Sequence, residues 1–402
     1  NGNLKITNLT PYQIEIYSIK LVKKDCLKKG KKKTKDCIDR YIQEISLPVS
    51  EFEYFDFNLN QNLEKYESLI VETSYGLKKL KSSIFDIEDE IYIQMKRQKN
   101  SNLNHFNIVG KDLIIEKGTT YINDPLILPK NFNLKISKDA ELIFGKNAYI
   151  EIDGGKIEAI GNKDSKIYFR AKNEVHGWKG ILVRNSNDKS IIKHAVFENV
   201  NFYKSFNTHL TGAINFYKAD VDFLNTEFIN TKAEDFLNIT HSKFNIIDSK
   251  FVNCKSDAFD SDFSSGQIID SEFSIINGDG VDFSGSKVQI LRSKFNLIGD
   301  KAISAGEISE IYSKDNSFLN SNIAIASKDN SSVKIYNNSF LQSKLYDLTA
   351  FNKKSFYIKG GEIYLEDKND DIQLKTKSDL TSKIFINGVM IKNEKFDLAE
   401  IY

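Results

Sequence analysis

Gln267-Ile-Ile-Asp-Ser-Glu-Phe273 returns 22 residues later as Gln289-Ile-Leu-Arg-Ser-Lys-Phe295. Earlier the same phrase reads Asn245-Ile-Ile-Asp-Ser-Lys-Phe251 and Asp222-Phe-Leu-Asn-Thr-Glu-Phe228; later it continues at 313–318 and as Lys334-Ile-Tyr-Asn-Asn-Ser-Phe340. Its closing residues, Phe228, Phe251, Phe273, Phe295, Phe318 and Phe340, lie 23, 22, 22, 23 and 22 residues apart. A second phrase keeps step with it: Asp235-Phe-Leu-Asn-Ile239, Asp257-Ala-Phe-Asp-Ser-Asp-Phe263, Asp279-Gly-Val-Asp-Phe-Ser284 and Lys301-Ala-Ile-Ser-Ala305. Its apolar centre is Ile214, Leu237, Phe259, Val281, Ile303 and Ile325.

A strand shows alternate residues on opposite faces. A unit of about 22 residues holding two or three short strands cannot bury its apolar face alone, so neighbouring units must stack. Stacking equivalent strands in parallel gives a coiled solenoid with rungs ~4.8 Å apart. Phenylalanine then lies on phenylalanine, and both apolar columns point inward. The Leu-x-x-Leu-x-Leu pattern of leucine-rich repeats is absent, and propeller blades need ~40 residues.

Composition agrees. The 402 residues include 28 Phe and 18 Tyr but 4 Pro and 2 Met, and charged residues make up 28%. Such a chain has ample apolar core, and its β-branched and aromatic residues favour strands. The net charge of +1 gives no overall attraction to nucleic acid or membrane. No apolar run is long enough for a transmembrane helix.

Residues 1–100 read differently. Six or seven short alternating segments, separated by Gly, Asn, Lys and Ser, predict a small β-sandwich. Residues 97–104 are polar and read as a linker, so the solenoid is expected over 106–402. Nine lysines between Lys20 and Lys35 predict a solvated basic hairpin loop. Cys26 and Cys37 bracket that loop and predict a disulfide and an oxidising compartment; Cys254, in an alternating segment, reads as a small core residue. Asn1 is not an initiator residue, which implies that a leader or a longer N-terminal part has been removed, or a fragment.

With these residues in hand, the chain resembles the right-handed parallel β-helix proteins of the pectin-lyase-like superfamily from Phe106 to about Lys392. Gly118-Thr-Thr-Tyr, Ala140-Glu-Leu-Ile-Phe and Gly177-Trp-Lys-Gly-Ile-Leu-Val look like their opening coils. More narrowly, Ser256-Asp-Ala-Phe-Asp-Ser-Asp-Phe and Gly278-Asp-Gly-Val-Asp-Phe-Ser-Gly-Ser look like bacterial β-helix modules found beside spore-coat-kinase-like (CotH) domains, although no kinase motif is present. The resemblance implies a secreted or cell-surface protein that handles polysaccharide. That superfamily also holds adhesins, phage spikes and structural modules.

Aligned rungs put outward residues into columns. One runs Asn215, Asn238, Asp260, Asp282, Ser304 and Ala326; others hold Asp235, Asp257, Asp279 and Lys301, and Thr240 and Asp262. Gly285, Glu307 and Asp329 align just beyond the strand. Asp257, Asp260, Asp262, Asp279, Asp282 and Lys301 are therefore the candidate catalytic residues. Like charges on adjacent rungs repel. A Ca²⁺ shared by Asp260, Asp282, Glu307 and Asp329 would relieve this, as would pairing with Lys301 and Lys328 or protonation of some carboxyls. Asp260 and Asp262 share a face ~6.6–6.8 Å apart, and Asp260 and Asp282 are one rung apart at ~4.8 Å. Both spacings are compatible with the carboxyl pairs of glycosidases. A lyase would instead need Lys301 or Lys328 as base, and acidic neighbours raise a lysine's pKa, against that role. Two functional classes stay open: a polysaccharide hydrolase or lyase, and a noncatalytic glycan-binding, adhesive or phage/filament module. In the second, the aspartates cap corners or staple rungs. His241 reads as a turn residue, Trp178 as a core or corner anchor, and the insertion at 201–211 as a loop able to wall a groove.

Overall fold

The computed structural model describes strand segments between residues 3 and 81, Leu103, and residues 106–401 apart from 206–208, 368–372 and 396–397. The Cys26–Cys37 pair and most of the lysine loop lie outside the described residues. The chain divides into two compact units, residues 1–96 and 97–402.

In the first unit Ile14–Lys23 is the hub of an antiparallel sheet. It pairs with Ile38–Tyr41, Ile45–Leu47 and Tyr66–Thr73, which pairs on with Gly76–Lys81. Asn3–Ile6 and Phe55–Asn58 form a separate antiparallel pair.

The second unit is a parallel β-solenoid with three faces, of 10, 11 and 14 strands. A coil in the middle of the solenoid contributes one strand to each face, as in Asp257–Asp262, Ser265–Ile269 and Glu272–Ile276. The register follows the repeat. Phe228, Phe251, Phe273, Phe295, Phe318 and Phe340 are successive partners on one face. Their rings stack with centroids 4.3–5.3 Å apart. The stack reaches back through Phe197 and Phe169 to Phe144, on which Trp178 lies at 4.0 Å. Trp178 is fully buried and donates its indole N–H to the Glu198 carbonyl, so it is a core anchor. Ile214, Leu237, Phe259, Val281, Ile303 and Ile325 are partners on a second face, here termed the site sheet, and all are buried.

One set of turns between faces is made by single left-handed residues. Asn225, Asp248, Asp270, Arg292, Asp315 and Asn337, three before each phenylalanine, have φ of 50–56°. Inside two corners run hydrogen-bonded ladders. The amides of Ser242, Ser264, Ser286 and Ser309 each donate to the side-chain oxygen of the next, ending at Ser331. Thr226, Ser249, Ser271, Ser293, Asn316 and Asn338 form the second ladder. These ladders satisfy buried amides that the tight corners would orphan. At the two ends of the third face the pairing turns antiparallel, Asn107–Val109 with Asp112–Ile115 and Lys383–Ile386 with Val389–Met390. Short hairpins there shield the open sheet edges. Among the described residues no helix is long and apolar enough to cross a membrane.

Candidate functional site

The outer face of the site sheet is covered at both ends. Toward the start, Tyr203 and Leu210 of the 201–211 insertion pack on Ile127, Tyr149 and Leu182. Tyr203 is fully buried and its hydroxyl donates to Glu151. The insertion thus walls the face, with Tyr203 inside the wall. Toward the end, Ile401 packs with Ile323, Ala326 and Phe351. Leu182, Asn215, Asn238, Asp260, Asp282, Ser304 and Ala326 are one continuous outward column. Its uncovered middle is Asn238, Asp260 and Asp282, each half-buried.

Within this window the aspartates divide by what they bond. Asp257 accepts the Asp279 amide at 2.7 Å, and Asp279 accepts the Lys301 amide at 2.9 Å. Each staples its rung to the next. Gly278 is required here, since a Cβ on it would lie 2.0 Å from the Asp257 carboxylate. Asp235 accepts the Thr211 hydroxyl at 3.1 Å, tying the insertion to the cluster. Asp260 and Asp282 instead stand side by side in the outward column, with Asp262 two residues along the Asp260 strand. Asp260 accepts an amide hydrogen from Asn238 at 2.9 Å.

The two lysines are buried rather than displayed. Lys301 lies 2.6 Å from Asp300 and 3.5 Å from Asp279. Lys328 donates to the Ser304 hydroxyl at 2.7 Å and lies 3.6 Å from Asp282. Ser304 is the rung partner of Asp282, so Lys328 reaches back to hold this carboxylate. Glu307 pairs with Lys354, and Asp329 is buried, accepting the amides of Lys353 and Lys354. Of the four residues expected to share a cation, Glu307 and Asp329 are thus engaged by the 353–354 turn. A different set comes together: carboxylate oxygens of Asp257, Asp279 and Asp282 lie within 4.8 Å of one another.

The protonation pattern follows. Burial, then the charges of Asp262, Asp235, Asp282 and Asp257, pushes Asp260 well above the ordinary carboxylate range. Burial and Asp279 push Asp257 up to about 8; burial and Asp282 push Asp262 up to about 7. Burial raises Asp279 to about 6 against the pull of Lys301, and Asp235 to about 6. Asp282 goes the other way. Burial acts to raise it, but Lys328, the Ser304 hydroxyl, Lys301 and Lys353 outweigh burial and hold it below its usual value. Burial also lowers Lys354, against the charges of Asp282 and Asp262.

Sequence reasoning missed Asp300, Lys353, Lys354 and Thr211, all of which lie outside the two repeated phrases. It also passed over Phe263, which ends the phrase carrying Asp260 and Asp262.

No protein-family model and no curated protein matches the chain. Solved structures do. It is similar to the surface adhesin PfbA of Streptococcus pneumoniae, at 13% identity over 68% of this chain and 80% of that one, with a TM-score of 0.40. It is similar to the catalytic domain of a GH87 alpha-1,3-glucanase in complex with nigerose, at 10% identity over 96% and 84%, TM-score 0.39. It is also similar to the periplasmic alginate epimerase AlgG, at 9% identity over 68% and 85%, TM-score 0.31. The activities in those names belong to those proteins.

Proposed function

We propose that the protein is a secreted or surface-exposed polysaccharide hydrolase whose acid–base pair is Asp260 and Asp282. One observation carries this reading. Two carboxylates on adjacent rungs face the same open window, one ringed by other carboxylates and the other held by Lys328 and Ser304. Environments that drive neighbouring carboxyls apart in pKa divide them into an acid and a base. Asp260, protonated, gives its proton to the glycosidic oxygen as the bond to the anomeric carbon breaks. Asp282, ionised, supports the positive charge developing at that carbon, by attacking it or by drawing the proton from the attacking water. Lys301 and Lys328 are committed to carboxylates, which disfavours a lyase that uses either as a base.

Incubation with a panel of neutral and uronic polysaccharides tests this. New reducing ends should appear without an unsaturated, ultraviolet-absorbing product. Asp260→Asn and Asp282→Asn should each abolish them.

A second reading is favoured by the three clustered oxygens of Asp257, Asp279 and Asp282. Hard carboxylate oxygens suit Ca²⁺, and a cation there would brace a noncatalytic glycan-binding face. Calcium would then raise the melting temperature of the parent but not of Asp282→Asn, and no polysaccharide would be cut. The narrower likeness to CotH-associated modules assigns no activity to either reading.

A further inference from the structure

We propose that Phe263, packed on His241, is a glycan-contacting residue of this site, and that the glycan crosses the coils over it rather than running along the solenoid axis. This rests on the hydrolase reading.

The walls set the direction. A chain lying along the axis would meet Tyr203 and Leu210 at one end of the outer face and Ile401 at the other. Between them the open column spans Asn238, Asp260 and Asp282, two rung intervals or ~10 Å. The strand direction leads instead from Asp260 past Asp262 to the corner, where Phe263 follows at once.

That corner is aromatic on two successive rungs, at His241 and Phe263, and Tyr217 ends the strand of the rung before. The His241 and Phe263 rings stack at 5.2 Å and 18°, and Tyr217 meets His241 edge-on at 5.9 Å. All three are half-buried. On the next rung the corner residue is Gly285, with φ of 61°. A Cβ there would lie 2.7 Å from the Phe263 ring, so the glycine leaves the space that the ring fills.

Phe263 itself has φ of 49°, a conformation costly for a bulky side chain. Ile275, Leu297 and Ile308 share it, so strain alone marks nothing. What singles out Phe263 is its place at the open end of the strand that carries Asp260 and Asp262. The half-buried ring, with one face on His241, offers its remaining apolar surface to the C–H groups of a sugar.

The test uses the full chain with tetra- to hexasaccharides of glucose, mannose, galactose and uronic acids, read by calorimetry. Phe263→Asn removes the ring and suits the backbone, since Asn225, Asn253 and Asn337 adopt the same left-handed conformation elsewhere in the coils. It should bind the parent's preferred oligosaccharide at least about ten-fold more weakly, with an equal or higher melting temperature. Phe263→Tyr keeps the ring and should bind within about two-fold of the parent. Parent-like affinity in Phe263→Asn, with hydrolysis intact in the parent, would overturn the role of Phe263 and leave the hydrolase reading standing. A parent that binds no oligosaccharide of the panel would overturn both.

Discussion

At the scale of single residues the site is a set of aspartates separated by their bonding. Asp257 and Asp279 spend an oxygen on the next rung's amide, whereas Asp260 and Asp282 face outward. Asp260→Asn keeps the shape and removes a crowded carboxyl. It should abolish turnover while leaving circular dichroism unchanged and the melting temperature equal or higher, as when a site trades stability for activity. The raised carboxyls also set a pH dependence. Between the unfolded value near 4 and folded values of about 6 to 8, the folded state binds more protons than the unfolded one. Stability from these groups is therefore full below about pH 4 and is lost as pH rises toward 8. Thermal melts across that range should show a falling melting temperature, with a shallower fall in Asp260→Asn. Asp282 titrates in the opposite sense and depends on Lys328. Lys328→Met should shift the acidic limb of the kcat/KM profile to higher pH by about one unit or more. An unmoved limb would show that Lys328 does not hold the carboxylate.

At the scale of elements the strand alternation and the 22-residue period were legible in the sequence, because a parallel register repeats every side chain in place. The Phe273 stack and the Ile214–Ile325 column follow from counting alone. Phe273→Ala opens a cavity inside a stack with rings 4.9 Å away on both sides. It should cost ~3–5 kcal/mol in denaturant unfolding. The serine ladders were visible as letters, Ser271 and Ser293 standing two before their phenylalanines, but not as bonds. Their role depends on which way each hydroxyl turns at a left-handed corner, and the spacing is silent on that. Ser264→Ala would strand the buried Ser242 amide, which donates to it at 3.0 Å. A loss of ~1–3 kcal/mol is expected; a neutral change would mean the ladder is incidental. Pairing of Lys301 and Lys328 with carboxylates was legible in the sequence, but their burial was not. Lys301 and Lys328 are 1% and 4% exposed, because the carboxylates of Asp300 and Asp279 approach the first ammonium group and that of Asp282 the second.

At the scale of the whole molecule, a solenoid gives one long outer face, and what makes part of it a site is what covers the rest. The sequence marked the 201–211 insertion by the stretched interval of 31 residues from Phe197 to Phe228, and so marked one wall. The other, at Ile401, comes from beyond the repeats and left no periodic signal. Between those walls Asp260 and Asp282 face the same opening with their pKa values driven in opposite directions, the arrangement on which the proposed hydrolysis rests. The most direct measurement is the release of reducing ends from the polysaccharide panel by the parent, Asp260→Asn and Asp282→Asn at equal concentration across pH 4–9. The parent should hydrolyse at least one polysaccharide and neither variant any above background, with all three folded by circular dichroism. Parent-level hydrolysis by either folded variant, or no hydrolysis of any polysaccharide by the parent, would contradict the proposal.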